Sequence, residues 1–582
     1  MKYFVKILLI NLFLLFVLQL TAQNTRSKTK KADKAFDVEQ YYKAAELYQK
    51  AYKKTKNRAL KAEITFKQAE CYRLTGVDRD AKRAESYYKR AIKAKYPDVI
   101  VYLRYADMLK RNAKYEESLQ QYKKYVKLNP TDIRGEKGVK SCQLAMDWEV
   151  NPTRYKVAIM PIVNSRYSDF SPAFGNKDYT EIYFSSSRKG STGSDIDERT
   201  GESFMDIYKT RIDKKKKWRS PIPEMETINT ESNEGPMHLN QRGSVMYFTK
   251  CKVEKKKQLG CDIFVSKRKG KLWAEAKRLQ IKVDSGVSVG HPAVSVDEIT
   301  MFFSSDQTGG YGGKDIWVVQ KVKRNRWSEP MNLGPAINTS GDEMFPFLHS
   351  DGTLYFASDG HIGMGGLDIF KSTPDSNLSF TSVINLKSPM NSPADDFGMI
   401  IEKDGERGYF TSNRTGGKGG DDIYQFELPP LIFTLKGVVT DSKTGAIITN
   451  ANVQLISSSG KSEDVKTDNA GSYNFKIKPI TSYDIVVSKE GYLKKKKILT
   501  TVGEEHSKDF VVNFFELDPI LKEIILPKIE YDYAKWNLRE KSIEDLDALI
   551  LTLNENPNIT IELRSHTDYR GSDYQNQILS QK

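Results

Sequence analysis

Histidine and cysteine are scarce in this chain of 582 residues, which has six of the one and four of the other. The histidines (238, 291, 349, 361, 506 and 566) are scattered, and no two are spaced as helical metal ligands. There is no His-Glu-x-x-His and no Gly-x-Ser-x-Gly stretch. Ser186-x-x-Lys189 has the spacing of a Ser–Lys nucleophile pair, but it falls on a strand end rather than a helix. On these residues we expect no enzyme, no cofactor and no metal. Long apolar runs are also lacking beyond the first two dozen residues, so no transmembrane segment is expected in the mature chain. Met1 to Gln23 has the form of a secretory signal: Lys2 and Lys6, an apolar stretch from Ile7 to Leu20, then Thr21-Ala22-Gln23. Cleavage is expected after Ala22, giving a signal peptide of residues 1–22. An uncleaved anchor is the alternative, because no A-x-A site is present. No Cys follows the apolar run, so N-terminal lipidation is not expected.

Export places the four cysteines where disulfides persist. Cys251 ends one strand-like run, SVMYFTKC, and Cys261 opens the next, CDIFVSK. If the two runs form a hairpin, these residues could bridge across it. Cys71 and Cys142 lie on apolar helical faces and read as buried thiols. The net charge of +16 suits an acidic partner: nucleic acid, an anionic envelope surface or an acidic protein. The lysines cluster at 214–217, 255–257 and 494–497, where strand-connecting turns are expected. They read as solvated turns, and no nucleic-acid partner is expected.

Residues 24–150 carry an internal helical repeat. Tyr41/Ala44/Tyr48/Ala51, Ala81/Ala84/Tyr88/Ala91 and Tyr115/Ser118/Tyr122/Tyr125 stand in register, with steps of 40 and 34 residues. Ala32 and Ala106 lie twelve residues before Ala44 and Ser118. Ala69 takes that part in the middle unit, with three residues inserted around Gly76-Val77-Asp78. Small residues under aromatic ones let antiparallel helices approach closely. The pattern resembles tetratricopeptide repeats, with a capping helix around Ile133 to Trp148. The resemblance implies binding of partner proteins.

From residue 151 to about 430 the helical period gives way to short strands and Gly-rich turns. Aromatic pairs recur at Tyr183-Phe184, Tyr247-Phe248, Phe302-Phe303, Tyr355-Phe356 and Tyr409-Phe410. Each precedes a triplet: Asp206-Ile207-Tyr208, Asp262-Ile263-Phe264, Asp315-Ile316-Trp317, Asp368-Ile369-Phe370 and Asp422-Ile423-Tyr424. The triplets are 53 to 56 residues apart. Pro172, Pro236, Pro292 and Pro346 lie before the pairs, with Phe397 in the fifth unit. Such a radial repeat is a β-propeller, and the units resemble the WD-like repeats of TolB-type propellers. Five blades fit best; a sixth would need the strand near Tyr155 to Pro161, which more often closes the ring on the last blade. The triplet Asp is expected to bind turn N–H groups. The Gly-rich turns are expected to need positive φ, and none opens a helix as a phosphate loop would.

Residues 431–517 contain Gly437-Val438-Val439-Thr440-Asp441, alternating runs at Ala451–Ile456, Ser472–Ile477 and Tyr483–Val487, and Gly491-Tyr492. This order resembles the carboxypeptidase regulatory-like domain, a small β-sandwich. Residues 518–582 end in a strand (Ile559, Ile561, Leu563), a loop with His566, Thr567, Asp568, Arg570 and Gly571, and a helix starting near Ser572 or Asp573. His566, Thr567, Asp568, Gly571, Asn576, Leu579 and Ser580 match the motif of the OmpA-like peptidoglycan-binding domain, an α+β fold. The resemblance reaches back through Tyr531-Asp532-Tyr533 and a helix bearing Ile543, Leu546, Leu549, Ile550 and Leu553. It implies that Asp568 takes the ammonium of diaminopimelate in the wall's stem peptide. The partner arginine is expected beyond Lys582, so the domain reads as C-terminally incomplete.

The full order resembles envelope proteins of Bacteroidetes-type bacteria, among them the peptidoglycan-binding accessory component of the type IX secretion machinery. That component is lipidated through an N-terminal Cys, which this chain does not offer. The order implies a non-enzymatic scaffold of the periplasm, associated with the outer membrane and the cell wall. The last domain would grip peptidoglycan while propeller and array hold envelope proteins. The alternative is a wall-tethered receptor whose propeller binds a glycan or peptide.

Overall fold

The computed structural model describes residues 28–581 apart from 194–195, 253–259, 282–285, 324–325, 376–378, 521–539, 558 and 562–571. Two compact units divide the chain, Met1–Pro429 and Pro430–Lys582.

The first unit begins with seven helices: α1 (28–37), α2 (Tyr41–Lys54), α3 (Arg58–Leu74), α4 (Asp78–Lys93), α5 (Ile100–Arg111), α6 (Tyr115–Leu128) and α7 (Ile133–Val150). Side-chain caps fix two starts. Asn57 accepts from Leu60 N at 3.0 Å and Asp132 from Arg134 N at 3.1 Å. The repeated tyrosines Tyr48, Tyr88 and Tyr122 are fully buried. Each donates its hydroxyl to an acid on the preceding helix: Asp33, Glu70 and Asp107. Those acids directly follow Ala32, Ala69 and Ala106, so the three units keep one register across the insertion. The last pair packs closest, since a Cβ on Gly138 would stand 2.3 Å from the Tyr122 ring.

Five antiparallel sheets follow, which we call blades 1 to 5. Their first strands are Asp169–Phe174, Asn233–Leu239, Val289–Val294, Glu343–Leu348 and Asp396–Ile401. These neighbour one another in cyclic order, the fifth returning to the first, which makes a closed propeller-like ring. Lys156–Ile159 pairs with Asp422–Glu427 as the outer strand of blade 5 and closes the ring, so no sixth sheet forms from it. The aromatic pairs supply the core: Phe184, Phe248, Phe303, Phe356 and Phe410 are all fully buried.

Every first strand carries a β-bulge of two residues: Ser171-Pro172, Gly235-Pro236, His291-Pro292, Phe345-Pro346 and Gly398-Met399. Met399, not Phe397, therefore holds the proline's place in the fifth unit; Phe397 stands in register with Phe170. In four bulges the first residue has positive φ: Ser171 (53°), His291 (53°), Phe345 (53°) and Gly398 (60°). For a bulky side chain that backbone is strained, by on the order of 1–3 kcal/mol each.

The second unit contains a β-sandwich. One sheet has the order Ser472–Ile477, Phe433–Asp441, Lys508–Leu517; the other Ser462–Lys466, Asn452–Ser457, Ser482–Ser488, Lys495–Thr500. Leu435, Val439, Val453, Phe475, Ile485, Val487 and Phe515 fill the space between them. Helices α8 (Glu540–Glu555) and α9 (Asp573–Ser580) come after it. Ser572 caps α9, accepting from Gln575 N at 3.3 Å. Among the described residues no helix is long and apolar enough to cross a membrane.

Candidate functional site

The two ends of the ring are built differently. One carries the turns between second and third strands and the links between blades. Here the triplet aspartates tie down the turns. Asp206 accepts from Thr192 N, Asp315 from Tyr311 N, Asp368 from Gly365 N, and Asp422 from Lys418 N and Gly419 N. The turn glycines serve these carboxylates more than they serve positive φ. Only Gly309 and Gly416 of the Gly-rich runs adopt it, at 93° and 98°. A Cβ on Gly310, Gly363 or Gly417 would instead strike Asp315, Asp368 or Asp422 at 2.6, 2.0 or 2.2 Å.

Among the described residues an asparagine clamps four of the five triplets to the next blade. Asn229, Asn338 and Asn391 pair through both amide atoms with the backbone of Ile207, Ile316 and Ile369. Asn164 does the same with Ile423 across the ring closure. Five residues after each asparagine sits a fully buried acid: Asp169, Glu234, Glu343 and Asp396. Arg188, Lys250 and Arg414 pair with three of them, although burial still pushes Glu234 up to about 7. Glu343 has hydroxyl and N–H donors only, from Thr339 and Ser358, and burial pushes its carboxyl up to about 7.

The helical array rests on this end. Arg111 at the close of α5 pairs with Asp395, and Lys43 in α2 pairs with Glu198 at 2.5 Å. Lys137 in α7 donates to Gly360 O at 3.2 Å. Met364, from the blade 4 turn, is buried among Leu103, Tyr115, Tyr122, Cys142 and Trp148 of the helices. Array and ring thus share one apolar core. Asp421 lies beside Asp395, Glu202 and Arg111; burial and the two neighbouring carboxylates push it up to about 8. Burial likewise lifts Asp368 to about 7.

The opposite end holds a cavity of about 370 Å³ on the ring axis, lined by the first strands of all five blades. Its wall is apolar and proline-rich: Pro172, Pro236, Pro292, Pro346, Phe347 and Met399. Its floor is a slipped stack of rings. His291 lies 4.0 Å from Phe345 and Phe345 4.6 Å from Phe397, whose far neighbour is Phe170 at 6.2 Å. The strained bulge residues hold these rings across the axis. His291 Nδ1 accepts from Phe345 N at 3.3 Å. Burial pushes His291 down to about 3, with Lys314 adding to it, and burial alone pushes His238 down to about 4. Both wall imidazoles are therefore neutral at physiological pH.

The residues singled out from sequence are distributed as follows. Cys251 and Cys261 face each other in blade 2 and form a disulfide. Cys71 and Cys142 are buried free thiols. Ser186 Oγ is held by Asp169 at 2.6 Å and accepts from Arg188, so it is no nucleophile paired with Lys189. His566, Thr567, Asp568, Arg570 and Gly571 lie outside the described residues, as do Tyr531, Asp532 and Tyr533. Among the described residues no group of three His, Cys, Asp or Glu could hold a metal ion. Sequence reasoning missed the axial cavity; its signal was the bulky residue before proline in His291-Pro292 and Phe345-Pro346.

The profile of the carboxypeptidase regulatory-like domain matches residues 434–513, the sandwich of the second unit. No curated protein matches the chain. Among solved structures, the chain is similar to an α-L-arabinofuranosidase from Lactobacillus brevis at 12% identity and a TM-score of 0.31, covering 50% of this chain and 95% of that one. It is similar to an endo-arabinase from Bacteroides thetaiotaomicron at 12% identity and a TM-score of 0.32, covering 47% and 97%. A puromycin-hydrolyzing peptidase of Mycobacterium tuberculosis matches at 14% identity and a TM-score of 0.27, covering 43% and 35%. These matches correct one expectation. The scarcity of catalytic motifs had excluded an enzyme, whereas the solved structures that the chain is similar to include glycoside hydrolases and peptidases, so that exclusion is withdrawn. At this distance they assign no reaction to the chain.

Proposed function

We propose that the chain is a cell-envelope scaffold. Its last stretch, with the OmpA-like motif, anchors an assembly associated with the outer membrane to peptidoglycan, and the first unit engages partner proteins. The observation that carries this reading is the shared core of helices and ring. Met364 within the helical core and the Arg111–Asp395 pair join the two into one body with one covered end. A body of that kind presents its own surfaces at a fixed spacing from one another, which is what a scaffold requires. In this reading the helices are tetratricopeptide units, the blades are of the TolB-like type, and the protein is periplasmic. The order of domains also resembles the type IX secretion accessory component, and that machinery is the first place to seek partners.

The axial cavity favours a second reading, a wall-tethered receptor whose propeller binds a glycan or peptide. Both readings share the anchor. Its test is co-sedimentation with purified peptidoglycan of the protein carrying its full C-terminal domain, beside an Asp568→Ala variant. Sedimentation of the parent and at least tenfold loss in the variant are expected. A variant that sediments like the parent, or a parent that stays in solution, ends the anchor reading.

A further inference from the structure

The residues lining the axial cavity include two lysines, Lys177 and Lys403, and three histidines, but no carboxylate. Both lysines are exposed at the rim, on the turns after the first strands of blades 1 and 5. Neither has an ion-pair partner among the described residues. The acids of the neighbouring turns are already engaged. Asp351 holds His349 at 2.9 Å, Asp297 accepts from Ser295 and Ile299 N, and Asp404 accepts from Glu406 N. Glu298 accepts from Asn240 Nδ2, and Glu402 binds Arg407. Asp178 follows Lys177 in its turn and does not line the cavity. The rim therefore presents two cations above a cavity whose lining carries no carboxylate. In such a setting an anionic group is favoured where the lysines reach over the cavity mouth.

The wall is not wholly apolar. His238 and the Nε2 atom of His291 make no hydrogen bond among the described residues, nor does the Gln241 side chain. Tyr179 Oη accepts from Lys403 N at 3.0 Å and keeps its proton free to donate. An alkyl chain filling the cavity would bury these groups without partners, at about 1–3 kcal/mol each. A peptide, with an N–H and a C=O on nearly every residue, would satisfy them. The volume of about 370 Å³ is at the small end of ligand cavities and suits a few residues rather than a folded domain. Two wall residues, His291 and Phe345, are held at positive φ, a strain of the kind concentrated at ligand sites.

We propose that the axial cavity is a binding site for the apolar C-terminus of a polypeptide, its terminal carboxylate held by Lys177 and Lys403 and its last side chains packed against the proline wall. This deepens the reading of the first unit as a partner-binding body and does not depend on attachment to the wall.

The experiment uses the full chain, immobilised, and two fluorescent hexapeptide libraries ending in Leu, Ile, Val or Phe. One has free carboxyl termini and the other is capped as amides. Retention of the free-acid library at least tenfold above the amide library is expected. A Lys177→Ala/Lys403→Ala variant should lose that difference while its thermal midpoint stays within a degree or two. Equal retention of the two libraries, or none, overturns the proposal. So does decanoate binding more tightly than the peptides, which would make the cavity an acyl-chain site. Peptidoglycan co-sedimentation is measured on the same preparation. Loss of wall binding with peptide binding intact removes the anchor alone, and the converse removes this site alone.

Discussion

The two ends of the ring are made from the same five repeats, yet one is rich in buried charge and the other has no carboxylate in the lining of its cavity. At the covered end, carboxylates are interior groups. They tie turns, hold arginines and meet the basic tips of helices. At the open end the strands emerge into prolines, aromatic rings and two unpaired lysines. The difference lies in where each end's polar groups find partners. The covered end draws its partners from within the chain, through Asn391, Asp395 and Arg111, although one oxygen each of Asp206, Asp315, Asp368 and Asp422 stays buried without a hydrogen bond among the described residues. The open end leaves the side chains of Lys177, His238 and Gln241 without partners among the described residues. A repeat scaffold thus gives its two ends different polar chemistry through its turns.

The most severe way to break this contrast is to remove a cation from the covered end. Arg111→Ala leaves Asp395 and Asp421 facing each other in a buried interface. A loss of about 3–5 kcal/mol is expected by chemical denaturation, with faster amide exchange in α5 and α7. An Arg111→Met/Asp395→Leu double variant should recover most of it, because the carboxylate left behind is what costs. Next comes Asn391→Ala, which strips both hydrogen bonds from the buried Ile369 backbone. About 2–4 kcal/mol is expected from the same denaturation curves.

Acidity separates the two ends by sign. Asp421, lifted to about 8, and Asp368 and Glu343, lifted to about 7, keep protons that the unfolded chain releases from about pH 4 upward. Their contribution is present in acid and lost as pH rises towards about 8. His238 and His291, lowered to about 4 and about 3, stay neutral where the unfolded chain takes up protons, below about 6.5. Their contribution is present above that value and lost as pH falls. The two oppose each other between pH 4 and 6.5, and only the acids act from 6.5 to 8. The unfolding free energy from urea curves should therefore fall across that upper interval, by about 1–2 kcal/mol per group that deprotonates. Asp421→Asn should flatten the upper limb and His238→Gln the acid one. The smallest effect sharpens the contrast: Lys177→Ala/Lys403→Ala at the open end should change stability by less than about 0.5 kcal/mol.

The parts of the fold that repeat were legible in the sequence. The aromatic pairs, the Asp-Ile-aromatic triplets and the small–aromatic helical register each mark a local packing rule, and the strands and helices lie where those rules put them. The turn aspartates were legible for the same reason, since their partners sit within a few residues. Legibility ended where partners come from distant repeats. Arg111 and Asp395 are 284 positions apart, and each reads as an ordinary surface charge until the helices dock. The axial cavity was hidden because the prolines looked like strand punctuation. Only the register shift at Ser171, His291, Phe345 and Gly398 turns the residues beside them toward the axis. The glycines were read as bearers of positive φ, whereas Gly310, Gly363 and Gly417 make room for a carboxylate, which a one-dimensional pattern does not distinguish.

The outer strand of blade 5 has a consequence for how the protein is made. Lys156–Ile159 is synthesised before any blade, and its partner, Asp422–Glu427, is the last strand of the ring. During synthesis the early strand waits with an unpaired edge until the whole ring has followed it, and joining the two closes a loop as long as the propeller itself. Completion is thus a single late event that checks the length of what was delivered. A chain cut short within any blade leaves the first strand open and the ring unsealed, a form that proteases can recognise without reading any signal in the sequence.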